Sequence, residues 1–166
     1  MSVREIRLFG DPVLKSETAE IKDFSRASGL IQDLLDTTQL AGRAGVAATQ
    51  IGVGLSAFAY NVDGEIGYLI NPKITKLEGT EELVDEGCLS VPGLWHKVPR
   101  FSNATAVGFQ LDGTEIEISG EGLMAQVLQH EIDHLQGLLY LDRLLPEERK
   151  LAYKALREQS WFTRPV

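Results

Sequence analysis

Along Ser28–Ala41, Leu30, Ile31, Leu34, Leu35 and Thr38 recur at helical spacing, and Gly42 follows where a left-handed residue would close a helix. From Gly54 to Ser119 the period shortens. Apolar segments such as Leu55–Tyr60 and Ile66–Ile70 are punctuated there by the turn pairs Asp63-Gly64, Asn71-Pro72 and Asp112-Gly113. The last pair separates Thr105–Leu111 from Thr114–Ser119, in which Glu115, Ile116, Glu117 and Ile118 alternate as in a half-buried hairpin arm. After Gly120 the helical period returns through Leu123, Val127, Leu128, Ile132 and Leu135, with Gly137 placed to end it. Pro146, Glu147 and Glu148 then open a charged last helix, with a proline and two acids suited to a first turn. The pattern predicts an α+β fold with antiparallel strands in the middle and helices at both ends, as one domain over residues 1–166.

Composition narrows the class. A chain of 166 residues, 43% apolar, can bury one core, and its sixteen glycines and six prolines nowhere gather into a linker. A formal charge of −8 disfavours nucleic acid as the main partner, because phosphate binding needs a cationic stripe. Arg4, Glu5 and Arg7 interrupt the first eleven residues, so no signal-peptide hydrophobic region is expected there, and no apolar run reaches the ~18 residues of a membrane span. A cytoplasmic location is the expectation. Cys88 is the single cysteine, so no internal disulfide forms; its residue type alone suits core filling as well as a reactive thiolate.

The chemistry concentrates in His130-Glu131-Ile132-Asp133-His134, an H-E-x-x-H pattern lying on the segment predicted to be helical. At about 100° per residue, Leu123, Val127, His130 and His134 share one face, so both imidazoles continue the stripe expected to be buried. Glu131 lies about 60° round from His134, within reach of a water beside a cation held by the two histidines. Burying two imidazoles and a carboxylate together without a cation would cost several kcal/mol. Catalytic metal sites usually have three protein ligands. Tyr140 stands where one class of H-E-x-x-H protease has a third histidine, and Glu147 and Glu148 look like solvated first-turn residues. Cys88, the only thiol and next to Gly87, is the stronger candidate. His96 has no acid or thiol spaced with it for metal binding and reads as a surface or loop histidine.

These residues resemble peptide deformylases, whose signature segments are G-x-G-x-A-A-x-Q, E-G-C-L-S and Q-H-E-x-D-H-x-x-G. Here they read Arg43 to Gln50, Glu86 to Ser90 and Gln129 to Gly137, in matching order and spacing, with Gly10-Asp11-Pro12-Val13-Leu14 and Ile70-Asn71-Pro72 also similar. Two departures stand out. Arg43 replaces the first glycine of the first signature, and the loop expected after the cysteine carries Gly93-Leu94-Trp95-His96 where many members have polar or basic residues.

The resemblance implies a metallohydrolase that removes the formyl group from the N-terminal formyl-methionine of nascent polypeptides near the ribosome. Cys88, His130 and His134 would hold one divalent cation, Fe²⁺ in the cell, although this ligand set also suits Zn²⁺, Ni²⁺ or Co²⁺. Glu131 would act as general base, with the Leu89 backbone N–H and the Gln50 amide stabilising charge on the formyl oxygen. Gly45 would offer backbone hydrogen bonds to substrate, while Val84, Leu123 and Val127 would line a pocket for the methionine side chain. Asp133 would orient an imidazole or bond nearby backbone, and Glu86 and Arg100 would pair beneath the site. Two rivals remain: an H-E-x-x-H endopeptidase, and a metal-stabilised domain that binds N-termini without turnover.

Overall fold

A computed structural model describes residues 3–162; residues 1–2 and 163–166, the two ends of the expected domain, lie outside the described residues. The middle of the chain builds one antiparallel sheet of order β1-β2-β3-β4-β5, comprising Gly45–Ala47, Ala57–Val62, Glu65–Cys88, Val91–Phe109 and Glu115–Glu121. Helices α1 (Ser28–Thr38), α2 (Gly122–Leu135) and α3 (Pro146–Arg157) complete the α+β fold. Asp63 and Gly64, both at positive φ (51° and 84°), turn β2 into β3 with Val62 opposite Glu65. In β5 the acids are exposed, while Ile116 and Ile118 face an apolar cluster that includes Phe58, Leu69 and Leu128.

Three expectations change. Asn71-Pro72 is not a turn but a bulge inside β3, where pairing jumps from Ile70 opposite Phe109 to Lys73 opposite Val107. Asn71 takes φ 49°, and its side-chain amide exchanges two hydrogen bonds of 2.8 Å with the backbone of Ile21, a distant segment no local pattern could reveal. A bulge is also where a strand tolerates proline. The segment Gly93–His96 lies within β4, not in a loop, because β3 and β4 continue pairing up to the two-residue turn Leu89-Ser90 between Cys88 and Val91. Lastly, α1 stops at Thr38 and not Ala41. The Thr38 hydroxyl donates to Leu34 O (2.7 Å), and Arg43 Nη1 donates to Thr37 O (3.0 Å), satisfying carbonyls of the last turn.

Helix α2 sits at the centre. Every residue from Val127 to Leu135 is buried, so its polar positions Gln129, His130, Glu131, Asp133 and His134 are enclosed along with its apolar ones. Leu128 and Ile132 pack on the sheet with Phe58, Leu69 and Ala104, each such side chain contributing about 2 kcal/mol. Gly137 ends the helix at φ 77°, and a Cβ there would stand 2.8 Å from Lys15 O, so the position admits only glycine without rearrangement.

Candidate metal centre

Two elements converge on the centre of the molecule. The turn between β3 and β4 brings Cys88 and Leu89 forward, and α2 presents His130 and His134 one turn apart. The two imidazole Nε2 atoms lie 3.1 Å apart, and Cys88 Sγ lies 3.4 Å from His134 Nε2. All three potential ligand atoms fall within 4.8 Å of one another. A tetrahedral cation with bonds of about 2.05 Å to nitrogen and 2.3 Å to sulfur would space such atoms about 3.3 and 3.6 Å apart. The trio therefore fits a divalent ion, and its thiolate and two imidazoles suit a borderline-soft metal.

The imidazole of His130 is oriented from behind. Its Nδ1 is 2.8 Å from Glu86 Oε2, which leaves Nε2 to face the cluster. Glu86 in turn receives a bidentate pair from Arg100, Nε to Oε1 at 3.0 Å and Nη2 to Oε2 at 2.7 Å. Arg100 Nη1 continues to Asp133 Oδ2 (2.8 Å), and Arg143 contacts both Asp133 oxygens (2.8 and 3.2 Å). Glu86 and Arg100 thus pair beneath the centre. Asp133 bonds two guanidinium groups instead of an imidazole or nearby backbone. Arg143, ten residues beyond Asp133, has no spacing signal that could have pointed to it. Gln129 ties α2 to β4, its amide bonding both the N–H and the C=O of Phe101 at 3.0 Å.

The electrostatics of the two glutamates diverge. Burial alone would raise the carboxyl of Glu86, but hydrogen bonds from His130 and Arg100 outweigh it and hold the pKa at about 2. Burial raises Glu131 to about 7, with His130 opposing and Glu86 reinforcing the shift. Glu131 Oε2 and His134 Nδ1 are buried without a hydrogen-bond partner among the described residues. Burial, then the neighbouring His130, pushes the imidazole of His134 well below its usual range. His130 is held well above it, burial being overcome by Cys88 and Glu86.

A cavity of about 370 Å³ opens over this centre, lined among others by Gly45, Gln50, Cys88, Leu89, His130, Glu131, Leu123 and Val127. Gln50 Oε1 accepts from Ala47 N (3.0 Å), which turns its amide nitrogen toward Cys88 Sγ (3.6 Å) and Ser90 Oγ (3.3 Å). Leu89 occupies the turn beside them. A Cβ on Gly45 would lie 2.5 Å from Glu131 Oε1, so that glycine makes room for the carboxylate. Val127 is buried in the wall and Leu123 is partly open at it. Val84 is not among the lining residues; it lies one strand repeat, about 7 Å, before Glu86. His96 lies on β4, half-buried, stacked on Tyr140 with its Nδ1 2.9 Å from the phenol oxygen, and takes no part in the cluster. Trp95 and Arg43, which the sequence marked only as departures, both line the cavity, and the Trp95 indole lies where a Cβ on Gly87 would clash at 2.9 Å.

An enclosed carboxylate beside a Cys-His-His group able to hold a cation, at the floor of an apolar cavity, is an arrangement that suits a metal-dependent hydrolase. The model of the polypeptide deformylase family matches residues 3–150. A peptide deformylase of Acidothermus cellulolyticus is 48% identical, the alignment covering all of this chain and 92% of that one, and peptide deformylase 1 of Corynebacterium glutamicum is 41% identical, covering 99% and 100%. Among solved structures, the peptide deformylase from Thermus thermophilus superposes with a TM-score of 0.87 at 39% identity and 93% coverage of both chains. That from Legionella pneumophila gives 0.86 at 38% identity and 94% coverage of both. The chain belongs to the polypeptide deformylase family, enzymes that hydrolyse the formyl group from the N-terminal formyl-methionine of new polypeptides in a metal-dependent reaction.

Proposed function

We propose that deformylation is carried out here by Glu131, Gln50 and Leu89 around a cation held by Cys88, His130 and His134. The observation that carries this reading is Glu131: a buried carboxyl with one unpartnered oxygen, raised to about 7, beside the three potential ligand atoms. A base with a pKa near the working pH both accepts and returns a proton efficiently. When bound, the cation would supply Lewis acidity, making a water acidic near neutral pH and polarising a carbonyl.

Glu131 takes the proton of the attacking water and returns it to the departing amine. Gln50, its side chain held by the Ala47 hydrogen bond, gives up one of its amide contacts to Cys88 and Ser90 and donates that N–H to the formyl oxygen as negative charge develops there; the Leu89 backbone N–H assists from the turn. A donor of this kind is typically worth about 3 kcal/mol. Leu123 and Val127 receive the methionine side chain, and Gly45, on the edge strand β1, offers backbone hydrogen bonds to the extended peptide. In the cell the metal is Fe²⁺, and oxidation of the Cys88 thiolate would be the route of inactivation. Residues 1–166 act as one cytoplasmic domain on formyl-methionyl chains emerging near the ribosome; among the described residues no helix is long and apolar enough to cross a membrane.

Anaerobically purified, metal-loaded protein should release formate from formyl-Met peptides, much more slowly from formyl-Ala peptides, and hardly attack acetyl-Met peptides, whose extra methyl must fit beside the centre. Internal cleavage of an unformylated peptide at a comparable rate would replace this reading with the endopeptidase. Tight binding without formate would replace it with the binding domain.

A further inference from the structure

We propose that Arg43 selects for an acidic side chain in the first two substrate residues after the methionine. This rests on the substrate pose just described and adds a sequence preference to it. Among the described residues Arg43 is the only lysine or arginine lining the cavity, and it lies two residues before Gly45, hence within about 7.6 Å of it between Cα atoms. With the formyl group beside Glu131 and the methionine against Leu123 and Val127, the following residues leave past Gly45 and Arg43.

The guanidinium is held but not neutralised. Its Nη1 donates to Thr37 O at the end of α1, and among the described residues it forms no ion pair. The other carboxylates of the wall do not answer it: Glu86 is engaged by Arg100 and His130, and Glu131 is packed against Gly45. Capping a helix carbonyl uses one of five N–H donors, so the rest of the fork remains for a carboxylate. Because the side chain is half-buried and already tethered, little rotamer freedom is lost when it binds. The protein as a whole carries −8, which at long range disfavours acidic peptides, so a preference for them requires a local cation.

The test compares kcat/KM for formyl-Met-Asp, formyl-Met-Ala and formyl-Met-Lys peptides of equal length, and for formyl-Met-Ala-Asp against formyl-Met-Ala-Lys. In the wild-type protein the better Asp/Lys pair should differ by about tenfold in favour of Asp, shrinking at 0.5 M salt as a charge contact must. Arg43→Gln should bring that ratio to one or below, and Arg43→Lys should keep Asp ahead. A wild-type ratio at or below one overturns the inference, as does a ratio unchanged in Arg43→Gln. Should Arg43→Gln fail to fold, the salt series and Arg43→Lys decide: a preference that salt does not reduce, or that Lys does not keep, rejects it. Formate released from all these peptides without charge discrimination removes only this inference, whereas no formate from any of them removes the proposed chemistry as well.

Discussion

On one side of α2 the Asp133 carboxylate is saturated, with Arg100 on one oxygen and Arg143 on both, and Arg100 carries the chain of bonds on through Glu86 to His130. On the other side, two residues away, Glu131 is equally buried and has an oxygen with no partner. The same side-chain chemistry is thus used in two ways on one helix. At Glu86 on β3, further along the same chain of bonds, burial is matched by charge-assisted hydrogen bonds and the pKa is held at about 2; at Glu131 it is not matched, the pKa rises to about 7 and the group is poised to exchange a proton.

The sharpest way to break this comparison is Glu131→Gln, which keeps shape and burial and removes the proton acceptor. Formate release should fall about 10³-fold or more while roughly one equivalent of metal is retained. Metal loss in step with activity would mean that Glu131 is a ligand. The supporting side is tested by Arg100→Met, which removes the guanidinium shared by two buried carboxylates and leaves Asp133 to Arg143 and Glu86 to His130. Urea unfolding of the metal-loaded protein should show a loss of about 3–5 kcal/mol, and a loss under 1 would show that the network holds little.

The two glutamates also predict opposite pH responses in the metal-free protein. Glu131 has a folded pKa raised from 4.5 to about 7, so its contribution is present below 4.5 and disappears as pH rises through 7. Glu86 is depressed from 4.5 to about 2, so its contribution is present above 4.5 and lost as pH falls through 2. Relative to Glu131→Gln, the wild type should lose up to roughly 3 kcal/mol between pH 4.5 and 7. A pH-independent difference would deny that burial governs this carboxyl. The smallest effect belongs to Arg143→Met: that side chain is 46% exposed, so stability should drop by only about 0.5 kcal/mol. A drop matching that of Arg100→Met would extend the rigid network to the surface.

Much of this is legible in the sequence alone, and for a common reason. Helical and strand periods, the Asp63-Gly64 turn, the proline opening α3 and the facing of His130 and His134 are all written within a few residues of one another, because backbone geometry relates near neighbours directly. Resemblance then brought Cys88 and Gln50 to the same place, where the structure puts them 3.6 Å apart. What only the tertiary structure decided are the pairings between distant segments. Ile21 turns Asn71-Pro72 into a bulge, strand pairing draws Gly93–His96 into β4, and Arg100 and Arg143 take Asp133 from the role expected of it. Each is a contact whose partner is chosen by the packing of the whole chain, and a carboxylate, an amide or a short glycine-containing run has no local preference that identifies that partner in advance.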